Sequence, residues 1–146
     1  MTLVEMLVVI AIIAILAGII VPVSIHVRKR SQSRSARAII ERLKLALSNY
    51  ESDYGDYPPT SLADLDQGSN GLNDGIESLV RCLSTTEKSG PYYDFPEKDL
   101  DNLDGDTVRE NFNRSYFKSA KAFEYLDPWG NPYIYFHNRD YEKPEE

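Results

Sequence analysis

The sequence predicts an α+β protein: a long N-terminal α-helix, apolar through its first half, packed on a small C-terminal antiparallel β-sheet. Three observations predict it. An uncharged, almost wholly apolar run extends from Met6 to Ile25. Beyond it, Ile25, Ala36, Ile39, Ile40, Leu43, Ala46, Leu47 and Tyr50 fall on the three-and-four spacing of a one-faced helix. Near the C-terminus, Leu126–Phe136 joins a tight turn to an aromatic and β-branched run, the pattern of a turn leading into a strand.

The elements follow in order. One helix is predicted over about residues 2–53, in two segments: residues 1–27 as a membrane-spanning or filament-core half and 28–53 as an amphipathic half. Twenty helical residues reach about 30 Å, the thickness of a bilayer's hydrocarbon core. Gly18 and Pro22 are its weak points, because proline at 22 removes the amide that would bond back to Gly18, and a kink or local melting belongs there. Gly55 and Pro58-Pro59 end the helix. Residues 54–146 form the head: a loop over 60–75, a second helix over Ile76–Ser84, and an irregular acidic stretch over 88–111. Gly90–Phe95 is a candidate edge strand within that stretch. A strand near Lys121–Leu126 is expected to pair with Tyr133–Phe136, and the charged tail from Arg139 is expected to fray.

Charge narrows the function. The formal net charge is −7 over 146 residues, but residues 28–44 hold seven basic side chains against Glu41 alone. Beyond Lys44 there are nine basic and twenty-one acidic residues, which argues against nucleic acid as a partner. Cys82 is the single cysteine, so no internal disulfide forms and the thiol reads as a small buried hydrophobe. The apolar run lacks the basic n-region and small-residue cleavage site of a secretory signal, so it reads as retained. With Arg28-Lys29-Arg30 following it and no charge but Glu5 ahead, the positive-inside rule would leave the head cytoplasmic. A basic leader cut away before Met1 removes the conflict, and Met1 is then a processed N-terminus.

Thr2-Leu3-Val4-Glu5-Met6-Leu7-Val8-Val9-Ile10-Ala11-Ile12-Ile13-Ala14-Ile15-Leu16-Ala17 resembles the class III signal and first helix of type IV pilins and pseudopilins. Ala46–Pro58 and Asp127-Pro128-Trp129-Gly130-Asn131-Pro132-Tyr133 resemble the helix exit and C-terminal signature of the major, G-type pseudopilins of type II secretion systems. The resemblance implies a pilin-like fold and no enzymatic activity. It implies a helical filament homopolymer with minor pseudopilins, built by an inner-membrane assembly platform and ATPase after a prepilin peptidase has cut and N-methylated residue 1. The expected location is a single pass in a bacterial inner membrane with a periplasmic head, then a periplasmic or surface filament. The lipid bilayer is the partner before assembly. A type IV pilus subunit for adhesion or motility is the alternative of the same class, and a membrane-anchored periplasmic binding module is that of another class.

Met1 and Glu5 are the candidate assembly residues. A carboxylate in hydrocarbon needs a partner, and the α-amino group of the same or a neighbouring chain is within reach of Glu5. Met1 stands where the resembled family usually has Phe. Asp127, Pro128, Trp129 and Gly130 read as a structural turn: Asp127 accepting backbone amides, Gly130 supplying a positive φ, and Trp129 packing its ring. The resembled pseudopilins continue past this signature into a calcium-binding loop, and that site transfers to no residue of this chain. No metal ligand and no cofactor is assigned. Asp94, Glu97, Asp99, Asp101, Asp104 and Asp106, in the loop 94–106, offer oxygens of the kind Ca²⁺ takes, although Gly105 does not fall where an EF-hand needs it, and a solvated acidic loop is the simpler account. His26 and His137 have no catalytic partner in any motif.

Overall fold

The architecture was read from a computed structural model that describes residues 2–108 and 120–141, with the backbone alone for 19–26. Helix α1 runs Leu3–Tyr54, and its backbone stays helical through Gly18 and Pro22. The chain divides into two compact units, Met1–Arg37 and Ala38–Glu146, so the division falls inside α1, between the segment ends expected at 27 and 53.

The first unit is helix with its apolar side chains in the open. Leu3, Val4, Met6–Ile10, Ile12, Ile13, Ile15 and Leu16 are all exposed, on every face of the helix. Among the described residues no helix is long and apolar enough to cross a membrane. The described apolar side chains, 3–18, reach about 24 Å as helix, and the rest of the expected span, including His26, lies outside the described side chains.

The second unit builds its core on one face of α1. Ile39, Leu43, Ala46 and Tyr50 are buried at spacings of four, three and four, which places them in one row along the helix. They pack with Ile76, Leu79, Val80, Cys82 and Leu83 of helix α2, Asp74–Leu83, and with Tyr93, Phe95 and Tyr125. The aromatic part is a run of edge and tilted contacts, with Phe95 to Tyr125 at 5.0 Å and Tyr93 to Phe95 at 4.6 Å between ring centres. A satellite cluster of Leu62, Val108 and Ala122 lies under the loops. Gly55, at φ +82°, ends α1 in the left-handed conformation, and its amide donates to the Glu51 carbonyl at 2.7 Å.

The sheet is small and differs in its pairing from the expectation. Strand β1, Leu100–Asp101, pairs antiparallel with β2, Glu124–Tyr125, with Leu100 opposite Tyr125 and Asp101 opposite Glu124. The antiparallel course continues through a bridge between Thr107 and Lys121. The expected partner of residues 121–126, Tyr133–Phe136, contributes a bridge between Leu126 and Pro132 and the bond from the Tyr133 amide to the Tyr125 carbonyl. It then leaves for residues 58–60: the Tyr135 hydroxyl donates to the Pro58 carbonyl at 2.7 Å and the His137 amide to Thr60 Oγ1 at 2.8 Å. Gly90–Phe95 is not a strand. The Tyr92 and Tyr93 amides instead both donate to the Leu83 carbonyl, closing the end of α2. The loop 60–75 contains a 3₁₀ turn at Leu62–Leu65 capped by Ser61.

The tail is tied down through its described part. His137 is buried; its Nε2 lies 2.9 Å from Asp56 Oδ1, and Arg139 meets the other oxygen of Asp56 at 3.0 Å. Thr60 Oγ1 also donates to the Asp140 carboxylate.

Candidate functional site

The start of α1 is the first candidate site. The Thr2 amide donates to Glu5 Oε2 at 2.6 Å, and the Glu5 amide donates to Thr2 Oγ1 at 3.3 Å. This reciprocal pair is a capping box, in which each side chain satisfies a backbone donor that the first helical turn leaves free. Glu5 thus has a local partner inside the chain. The Thr-x-x-Glu spacing at residues 2–5 is the sequence signal of this box. Met1, the expected modified residue, lies outside the described residues.

The Asp127–Gly130 turn is built by its own side chains. Asp127 Oδ1 accepts from the Trp129 amide at 2.8 Å and the Asn131 amide at 2.9 Å, the Asp127 amide donates to the Asn131 carbonyl at 2.7 Å, and Gly130 sits at φ +88°. Trp129 is only half buried, with its residue 50% exposed. The amide ladder around Asp127 fixes the turn without the ring, and Ile134 and Phe136 of the following segment are exposed as well.

A third feature went unnoticed in the sequence. Every residue of α2 from Ile76 to Leu83 is buried, so its polar residues cannot turn to solvent. Glu77 is 1% exposed, and neither of its carboxylate oxygens has a hydrogen-bond partner among the described residues. One oxygen each from Glu77, Asp104 and Asp106 lies within 4.8 Å of the others. Asp104 Oδ2 and both oxygens of Asp106 are likewise buried without partners among the described residues. Burial, and then the charges of Asp106, Asp104, Glu124 and Asp74, push the Glu77 carboxyl up to about 9. Burial, and then Asp104, push Asp106 up to about 6. Neighbouring Glu124, equally buried, is provided for: the Leu103 amide donates to it at 3.0 Å and the Asn73 side-chain amide at 3.3 Å.

The long helix, small antiparallel sheet and Asp-Pro-Trp-Gly turn are consistent with an α+β pilin-like fold. Over 135 residues the chain is 27% identical to the type II secretion system core protein G of Pseudomonas aeruginosa (strain PAO1), and the alignment takes in 92% of this chain and 70% of that protein. Similarity spread over almost the whole chain supports a pseudopilin-like relationship. No family model and no solved structure matches the chain.

Proposed function

We propose that this chain is a structural subunit of a helical type II secretion pseudopilus, drawn from an inner-membrane pool and acting by assembly rather than by catalysis. The observation that carries this reading is the first turn and the exposed row behind it: a capped helix whose apolar side chains, Leu3 to Leu16, are exposed all round. A helix apolar on every face needs apolar surroundings. Lipid supplies them before assembly and neighbouring first helices supply them afterwards, so transfer from one to the other exposes little apolar surface to water. The similarity to a core protein of type II secretion supports a secretion pseudopilus as the kind of filament. Minor pseudopilins, a prepilin peptidase acting at Met1, and the assembly platform with its ATPase are the partners this reading requires.

The capping box makes the test sharp. Expressed with the assembly components, Glu5→Ala loses both the cap and the charge, whereas Glu5→Gln keeps an acceptor for the Thr2 amide and loses only the charge. Filaments are counted by electron microscopy of sheared fractions, and monomer is followed in the membrane fraction. The expected result is that both variants leave monomer in the membrane and form no filaments, because the charge pairs with a neighbouring chain's amine. Normal filaments from Glu5→Gln would reduce Glu5 to a helix cap, and normal filaments from both would overturn the assembly role.

A further inference from the structure

The orphaned carboxylates beside α2 have a chemical logic of their own. Ionised carboxylates accept hydrogen bonds and donate none, so without a cation Glu77 and Asp106 can meet only by sharing a proton. Among the described residues, five oxygens of Glu77, Asp104 and Asp106 have no donor, and one from each residue lies within 4.8 Å of the others, while adjacent Glu124 receives two hydrogen bonds. Glu77 cannot leave, because α2 is enclosed on all sides. Gly105, at φ +80° between the two aspartates, reverses the chain, and the Gly105 amide bonds Asn102 Oδ1 at 2.7 Å while Asn102 Nδ2 donates to the Asp106 carbonyl at 2.8 Å. Those bonds fold the loop back on itself; Asp104 Oδ1 accepts from the Asp106 amide at 3.3 Å, and Asp104 Oδ2 and the Asp106 carboxylate are left over.

An all-carboxylate donor set without His or Cys suits a hard cation rather than zinc or copper. Coordination then selects among the hard ones. Calcium takes about six to eight oxygens in a flexible shell, whereas magnesium demands a near-ideal octahedron and keeps several waters. One oxygen from each of the three carboxylates lies within 4.8 Å of the others, close enough to share one ion, and ligands drawn from a helix and a loop suit the more adaptable shell.

We propose that Glu77, Asp104 and Asp106 bind a calcium ion that clips the acidic loop onto α2. The set lies ahead of the Asp127–Tyr133 signature, not in the loop beyond it where the resembled pseudopilins hold calcium. It draws its deepest ligand from a helix and its other two from a loop of adaptable reach. The clip acts on more than the loop: the Ala122 amide donates to the Asp106 carbonyl at 3.4 Å, and Thr107 bridges Lys121, so anchoring Asp106 also anchors the start of the antiparallel pair.

The test uses the full chain in detergent micelles, stripped with a chelator and titrated at neutral pH with calcium chloride or magnesium chloride alone. Calorimetry is expected to show one calcium per chain with Kd on the order of 10⁻⁴–10⁻³ M, the range of sites with few charges and mobile loops. The melting temperature is expected to rise with calcium and much less with magnesium. Glu77→Gln should abolish both responses while its circular dichroism stays that of the parent. Should that variant fail to fold, Asp104→Asn decides, because its side chain is on the half-buried loop and its loss should weaken calcium by about tenfold or more. Asp101→Asn, an exposed acid of the same loop, should bind as the parent does. No heat and no shift at millimolar calcium would overturn the site and leave the cluster held by shared protons. Parent-like binding in Glu77→Gln or Asp104→Asn would overturn it equally, by placing the ion on the exposed acids.

Discussion

Replacing Gly75 with alanine tests the joint that holds the C-terminal segment to the head. A Cβ at Gly75 would stand 2.0 Å from the Tyr135 carbonyl oxygen, 3.1 Å from its carbon and 3.4 Å from the Thr60 carbonyl oxygen. All three are backbone atoms, so no side chain can swing aside. Ordinary contact begins near 3.4 Å, so the Tyr135 carbonyl would have to retreat by roughly the difference from 2.0 Å. The bonds from Tyr135 to Pro58, from His137 to Thr60 and from Tyr133 to Tyr125 resist that retreat. Overpacking of this kind costs about 1–3 kcal/mol, and alanine's smaller unfolded-state entropy returns about 0.4–1 kcal/mol. A net loss of about 1.3 kcal/mol corresponds to a melting point lower by about 5–10 °C for a domain of this size. Near-UV circular dichroism of the full chain follows it, since Tyr93, Tyr125 and Tyr133 report the head's packing. Gly71→Ala is the control: its φ of +79° is strained for alanine but its Cβ meets nothing within 4 Å, so it should lose only the backbone term of about 1–2 kcal/mol. Gly75→Ala melting within two or three degrees of the parent would refute the close approach.

The remaining predictions concern side chains of the head. Burial pushes the Cys82 thiol up to about 11, so a thiol reagent at neutral pH should label the native chain slowly and the denatured chain fully. The His137 ring, then the Tyr57 amide and the Arg139 charge, hold Asp56 below the ordinary carboxylate range. A lowered folded-state pKa gives stability that is present above the unfolded value and is lost as pH falls through the folded one. Asp56→Asn should therefore melt lower than the parent at neutral pH and approach it in acid, and a gap independent of pH would refute the link. Trp129→Ala should change the melting point little, because the turn is held by Asp127 and not by the ring, and should reduce filament yield if the half-exposed residue meets a neighbouring subunit.

Local chemistry was legible in the sequence and long-range pairing was not. Residues 36–50 declare the buried face of α1 by spacing alone, and α2 begins two residues before its expected start because Asn73 and Asp74 form its entry. Asp127 and Gly130 write their turn within five residues. The partner of β2 is Leu100–Asp101, more than twenty residues upstream, a choice made by Tyr125 seeking the Phe95–Tyr93 aromatic core rather than by any turn signal. His137 looks like a tail residue until Asp56 and Thr60, 81 and 77 positions earlier, are seen against it. Glu77 looks like an ordinary acid in the first turn of a helix, where the helix dipole favours it. A hint of its burial lay in α2 itself: Ile76, Leu79, Val80 and Leu83 occupy so much of a short helix that little face remains for solvent.

Glu5 and Glu77 show how one residue type is handled in two ways by the same chain. Each is a carboxylate in the first turn or so of a helix, a position where the dipole welcomes negative charge. Glu5 is given donors at once, the Thr2 amide at 2.6 Å, and its surroundings in the single chain are open. Its need arises only when neighbours close around α1, so its charge is informative about assembly. Glu77 is given none among the described residues, although its own fold closes around it. Its need arises on folding, and a cation at Asp104 and Asp106 meets that need within one chain. The two variants should therefore separate cleanly: Glu5→Gln should change filament yield with no change in melting point or calcium response, and Glu77→Gln should change the calcium response of isolated monomer. A loss of calcium response in Glu5→Gln would contradict this division, because it would place the ion's effect in the assembly helix and not in the head.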